Sequence, residues 1–348
     1  MCRDELGQSR WHVGYVEGKR HPSRVAAVPQ DRHYYSMGDP IHDWLTDGDP
    51  AIRWQTERDL LHKASDVWAS TRTEVGRAGW GKRLLECQDP DGTWGKGLYG
   101  PKWTSTTYTL LLLRRLGLPP SNMKAIEGCQ KLLDDADWID GGVSLFTGQQ
   151  LAEKCVNGMV LSLVSYFDVF DSRADSVAEM LQAGRMLDGG WNCEDYHGAT
   201  HSSFHTTISV LEGLLEWKRR TGSSYVDTAI ASGQEFMLRH QMYLSHRTGD
   251  VINQAWTTFH FPPRWHYDVL RGLDHLHDVS ASTDQRAARA VELVRSKRRK
   301  DGLWAKGNQY TGKTFFALEP GRAPGRWNTL RALRVLNWWR ADAPSPRS

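Results

Sequence analysis

Gln88-Asp89-Pro90-Asp91-Gly92-Thr93-Trp94 reads as an Asp-Gly turn that closes one helical run and presents an aromatic residue to the next. The same grammar returns at Asp188-Gly189-Gly190-Trp191 and at Asp301-Gly302-Leu303-Trp304. A fainter echo is Asp140-Gly141-Gly142-Val143-Ser144-Leu145-Phe146. Between 9 and 23 residues after each turn comes a small or polar helix start, followed by an apolar run. These starts are Trp103-Thr104-Ser105-Thr106, Cys155-Val156-Asn157-Gly158, Phe204-His205-Thr206-Thr207 and Trp327-Asn328-Thr329-Leu330. Two further starts, Ile52-Arg53-Trp54-Gln55 and Trp265-His266-Tyr267-Asp268, lack the turn. Positions 52, 103, 155, 204, 265 and 327 stand 51, 52, 49, 61 and 62 residues apart, a spacing suited to one helical hairpin per repeat.

The runs 106–116, 160–170, 208–217, 269–277 and 329–339 are apolar-rich and free of proline, so they predict helices that bury most of their surface. The more charged runs 224–239 and 284–298 predict outer, amphipathic helices. No stretch alternates like a strand beyond a few residues. The expected fold is therefore all-α. Six hairpins with no polar capping repeat at either end favour closure, giving a single (α/α)6 toroid over 41–340. Residues 1–40 form an N-terminal extension and 341–348 a tail in this reading.

Composition bounds the function. The 348 residues carry 44 Lys+Arg against 41 Asp+Glu, so no basic field points to nucleic acid. A chain that is 39% hydrophobic can bury a core. The apolar run 110–113 ends at once in Arg114 and Arg115, far short of the roughly 20 residues a membrane span needs. Contact with a membrane surface and the oligomeric state stay open. The charged N-terminus has no apolar core of a secretory signal, which predicts a cytoplasmic protein with reduced thiols at Cys2, Cys87, Cys129, Cys155 and Cys193. Cys87 and Cys129 read as small buried hydrophobes. Trp is over-represented, with 16 against 11 Tyr and 9 Phe.

The Gln88 to Trp94 string resembles the QW motif of squalene and oxidosqualene cyclases. The pattern over about 40–340 is similar to the α/α toroid that those cyclases share with protein prenyltransferase β subunits and lanthipeptide cyclases. The resemblance implies that Gln88, Trp94, Trp191 and Trp304 brace neighbouring helices. It also implies a cyclase or transferase that takes an apolar, isoprenoid-like small molecule into a central cavity. The chain departs from the family in several places. Neither DxDD nor DCTAE occurs, and Asp134-Asp135-Ala136-Asp137 has the wrong order and reads as a solvated acidic face. The DDxxD motif is absent, the length suits one barrel, and Glu194 follows Cys193 where lanthipeptide cyclases have Cys-His-Gly.

In such a ring the inner helices run parallel, so residues about 50 apart meet at the mouth where the helices begin. That mouth gathers Cys155, Asn157, His205, His266, Asp268 and Asn328, with Glu153, Cys193, Glu194, Asp195, His197 and His201 from the loops before it. Two thiols and a histidine are a zinc donor set with one open position, which points to Cys155, Cys193 and His266, with His205 as competing or fourth ligand. The relatives bind zinc at the same kind of place. The alternative is two buried thiols beside hydrogen-bonded histidines. With zinc, His205 and Asp268 are the proton-transfer candidates; without it, Asp268 and His266 form the acid pair of a protonation-initiated cyclase. An N-terminal helix cap is an equally good reading of Asp268. Trp54, Trp103, Phe204, Trp265, Tyr267 and Trp327, with Asn157 and Asn328, are the candidate substrate-binding lining, suited to an apolar substrate and to cation–π stabilisation. Aromatic bulk that simply fills the barrel is the competing reading. Two other functions remain in view: a zinc-dependent thiol-addition peptide cyclase resembling lanthipeptide cyclases, which predicts a charged mouth, and a non-enzymatic toroid that binds a partner and needs no metal.

Overall fold

Asp39 and Asp49 start their helices alike. Each carboxylate accepts the backbone N–H two residues on, and a proline takes the first helical position. The computed structural model describes residues 38–341 except 147, 149 and 150, so the tail and all but the end of the expected extension lie outside the described residues. The helices are α1 (Pro40–Thr46), α2 (Pro50–Asp59), α3 (Ser65–Thr73), α4 (Gly79–Leu85), α5 (Thr106–Leu116), α6 (Met123–Asp134) and α7 (Lys154–Tyr166). They continue as α8 (Arg173–Ala183), α9 (Phe204–Thr221), α10 (Asp227–Arg239), α11 (Val269–Asp278), α12 (Ala288–Ser296) and α13 (Arg326–Ala341). The molecule is mostly helical, as the periodicity predicts. None of the described helices is long and apolar enough to cross a membrane.

The three strong Asp-Gly turns are built identically. Gly92, Gly189 and Gly302 have φ of +84°, +106° and +81°, a conformation that excludes most side chains. Just beyond each glycine, a buried tryptophan donates its indole N–H to a carbonyl ten residues back: Trp94 to Leu84, Trp191 to Leu181 and Trp304 to Val294. Its backbone N–H donates to a threonine hydroxyl in the next long apolar helix, at Thr106, Thr207 and Thr329 respectively. One residue thus closes the end of one helix and docks the start of another. Gln88 adds donations to Gly92 O and Lys124 O. Trp94 and Trp191 also press on a glycine of α6 and of α10 respectively. A Cβ at Gly128 or Gly233 would stand 2.6 or 2.7 Å from the indole ring.

The faint fourth turn departs from the expectation of an all-helical repeat. It folds as a short antiparallel hairpin, β1 (Asp137–Ile139) with β2 (Gly142–Ser144), turning at Gly141. No tryptophan occupies the bracing position. Instead, the Val143 backbone exchanges two hydrogen bonds with the buried Asn157 side chain.

The long apolar helices pack in chain order, α5 on α7, α7 on α9, α9 on α11 and α11 on α13, and α13 packs on α2. Between α2 and α5 the Trp54 indole and Gln55 amide donate to Leu116 O and Arg115 O. Helices α4, α6, α8 and α12 each touch two consecutive members of that series, and α10 packs on α9. Helices α7 and α9 cross almost backbone to backbone. A Cβ at Gly158 would lie 2.6 Å from Ser209 O, and one at Gly213 would lie 2.4 Å from Gly158 O. Helix α7 begins at Lys154, ahead of the apolar run at 160, because the polar start Cys155-Val156-Asn157 is itself helical and buried. Trp103, Trp265 and His266 lie in the loops before α5 and α11 rather than within those helices.

Candidate functional site

Glu153 stands at the N-cap position of α7, Cys155 sits in its first turn, and Cys193 follows two residues after the anchored Trp191. These fixed points bring one carboxylate oxygen and two sulfurs to within 4.8 Å of one another, all three residues being buried. The Cys155 backbone N–H donates to Cys193 Sγ at 3.1 Å, and Thr206 Oγ1 donates to the same sulfur at 3.5 Å. The Cys155 thiol points to Glu153 Oε2 at 3.8 Å. A Lys154–Asp195 ion pair fastens the Cys193 loop to α7. Burial raises the Glu153 carboxyl above the usual range. Two thiols and a carboxylate fit zinc by donor type.

Of the expected ligand set of Cys155, Cys193 and His266, the structure groups the two cysteines. The third member of the group is Glu153, two residues ahead of Cys155, while His266 is held elsewhere in an aromatic stack. Its ring lies 3.8 Å from that of Trp265 and 3.7 Å from that of Tyr310. The available signal was Glu153 itself, a carboxylate at the cap position of the helix whose first turn carries the cysteine.

His205 and His266 do meet. Their rings are 6.0 Å apart and nearly perpendicular. The Tyr267 backbone N–H donates to His205 Nδ1 at 2.7 Å, which assigns the proton of the neutral ring to Nε2. Burial, aided by nearby Arg271, lowers His205 to about 4. Burial, then His205 and Arg271, lower His266 to about 3. Both rings are neutral near pH 7. His266 Nδ1 and Trp265 Nε1 are buried without a hydrogen-bond partner. Trp103 stands 6.1 Å from His266, under the side chains of Arg264 and Lys102. Segment 305–325 closes over this group, with Trp103 donating its backbone N–H to Lys313 O and its indole N–H to Thr311 O.

Other expected site residues are occupied in holding the fold. Asp268 is the N-cap of α11: Oδ1 accepts from the Arg271 N–H and Oδ2 from the His260 N–H. The cap expected as one of its two readings is thus present. Asn157 pins β2 to α7, and Asn328 donates to Phe259 O and Ala305 O. Phe204 and Tyr267 pack with Phe236 and Trp256, and the Tyr267 hydroxyl donates to Met242 O. Trp327 stacks on Phe261 at 3.9 Å. Cys129 is buried, as expected, while Cys87 is only half-buried.

Among the described residues, the aromatic set is spread over several clusters. A cavity of about 560 Å³ lies toward the C-terminal halves of α2, α5, α7, α9 and α11, and of that set Trp54 and Trp327 line it. Its lining is dominated by charge, with nine arginines against five carboxylates. The sequence marked Arg114 and Arg115 only as the end of an apolar run; their recurrence in Arg58 and Arg219-Arg220, near the ends of α2 and α9, was the missed signal.

No family model and no curated protein matches the chain. Among solved structures, the chain is similar to the crystal structure of a protein from Actinoplanes, at 16% identity and a TM-score of 0.46, over 84% of this chain and 90% of that one.

Proposed function

We propose that the chain closes as an (α/α)6 toroid and works as a metal-dependent cyclase or transferase, with zinc held by Glu153, Cys155 and Cys193. The ring reading is supported by the serial packing of the long helices and by the seating of α13 on α2. The enzyme reading is carried by one observation: a buried carboxylate and two sulfurs converge where α7 and α9 begin, and two neutral histidines stand at the starts of α9 and α11. Three protein ligands leave the fourth position of a tetrahedral ion for a substrate group. When bound there, zinc supplies a Lewis acid and favours the ionised form of a thiol or water.

The chain's own residues do the rest. His205 Nε2 carries the proton it can donate, because Nδ1 is engaged by Tyr267 N–H. His266 Nδ1, buried and unpartnered, is the ring atom left to exchange a proton with a bound molecule. Trp103, Trp265 and Tyr310 wall this region and suit the apolar part of a substrate, in keeping with an isoprenoid-like molecule. The arginine-rich cavity favours a second reading, thiol addition on a peptide, whose substrate would be polar. Cobalt(II) loading tests the metal proposal without a known substrate. The expected result is a sulfur-to-cobalt charge-transfer band that Cys193→Ser weakens and Cys155→Ser/Cys193→Ser abolishes. A band unchanged in the double variant overturns it.

A further inference from the structure

The carboxylates around the large cavity are outnumbered, and most of them are shared. Glu212 accepts from both Arg115 and Arg271, Glu216 from both Arg114 and Arg219, and Asp274 from both Arg331 and Arg334. Several guanidinium donors are left over. Arg331 Nη2, on a side chain only 3% exposed, and Arg114 Nε, on one 9% exposed, are buried with no partner. Arg115 commits only Nη2, to Glu212.

Helix C-termini ordinarily repel anions, because their free carbonyls carry partial negative charge. Here those carbonyls are covered. At the end of α5, Arg115 O accepts from Gln55, Leu116 O from Trp54, Gly117 O from Arg72 and Leu118 O from Tyr166. Val169 O and Asp278 O accept from Arg220 and Arg219. The mouth is thereby left with guanidinium charge instead of carbonyl charge. Arg115 is under visible electrostatic stress: burial, with Arg271 and Arg114 beside it, lowers it to about 10 despite Glu212.

We propose that this cavity is a binding site for a small multivalent oxyanion, a polyphosphate or polycarboxylate, gripped by Arg115 with Arg58, Arg72 and Arg114. Guanidinium forks match the planar oxygens of such groups. The lining carries four more arginines than carboxylates, or three once Asp59, which accepts from both Arg58 and Arg334, is counted, and that excess asks for a ligand of several negative charges. The site lies toward the opposite helix ends from Glu153, Cys155 and Cys193, and the proposal stands independently of the metal reading.

Calorimetric titration of the full chain with pyrophosphate, and separately with citrate, tests it. At least one of the two is expected to bind at low salt, about tenfold more weakly in Arg115→Gln, as loss of a charge-assisted contact implies. Arg289→Gln, an exposed control on α12, is expected to leave binding unchanged. Arg58→Gln serves in the same way should Arg115→Gln fail to fold. Tighter pyrophosphate assigns a phosphorylated ligand and tighter citrate a polycarboxylate. The proposal is overturned if neither anion binds, or if the arginine variants bind like wild type. It is equally overturned if binding disappears in Cys155→Ser/Cys193→Ser, which would place the anion on the metal centre.

Discussion

At Trp191 one side chain holds two helices: the indole N–H closes α8 through Leu181 O, and the backbone N–H docks α9 through Thr207. Trp191→Phe keeps most of the ring but leaves a buried carbonyl without its donor, an expected cost of about 1–3 kcal/mol. Trp191→Ala also opens a cavity and should cost about 3–5 kcal/mol. Equilibrium denaturation of both variants checks the order; an undiminished stability in Trp191→Phe would show that the hydrogen bond contributes nothing, and equal losses that the ring volume adds nothing. Asp268 belongs at the same scale. With both oxygens on backbone N–H groups, Asp268→Ala is expected to lower stability by about 1–2 kcal/mol, as loss of a cap does. Unaltered stability in the same denaturation assay would favour its role as an acid.

At the scale of elements, Gly158 and Gly213 let α7 and α9 touch backbone to backbone, and Cys155 lies in the first turn of α7 while Cys193 lies in the loop that leads into α9. Gly158→Ala should force the pair apart at a cost of about 1–3 kcal/mol, even though alanine is the better helix former. The variant should also hold metal less tightly than wild type in competition with a chelator; unchanged stability and retention would show that the crossing does not position the site. The helices were legible because runs such as 106–116 and 269–277 have the right period and clean stops, and the turns because Asp-Gly-x-Trp needs a glycine at positive φ. The crossing was not legible. A glycine inside a helix says nothing about which backbone it meets. The site was half legible for a related reason. Cys155 and Cys193 were paired through the repeat, but whether Glu153 or His266 completes the group depends on loop geometry that the spacing does not carry. The charge at the other helix ends was visible in the sequence, yet its meaning appears only when Arg58, Arg114, Arg115 and Arg219 face one cavity.

Across the whole molecule, burial holds three histidines neutral, His205 and His275 at about 4 and His266 at about 3, against an ordinary value near 6.5. Below pH 6.5 the unfolded chain takes up protons that these folded sites refuse, so stability is expected to fall steadily from about pH 6.5 toward 4. Thermal unfolding across that range checks the sign, and a flat profile would contradict the burial of these rings. The most direct measurement is the metal content of protein purified without a histidine tag or chelator. Wild type and His266→Ala are expected to retain about one equivalent of zinc, Glu153→Gln less, and Cys155→Ser/Cys193→Ser none. Less than about a tenth of an equivalent in wild type, or full retention in the double-serine variant, would contradict a metal centre built on Glu153, Cys155 and Cys193.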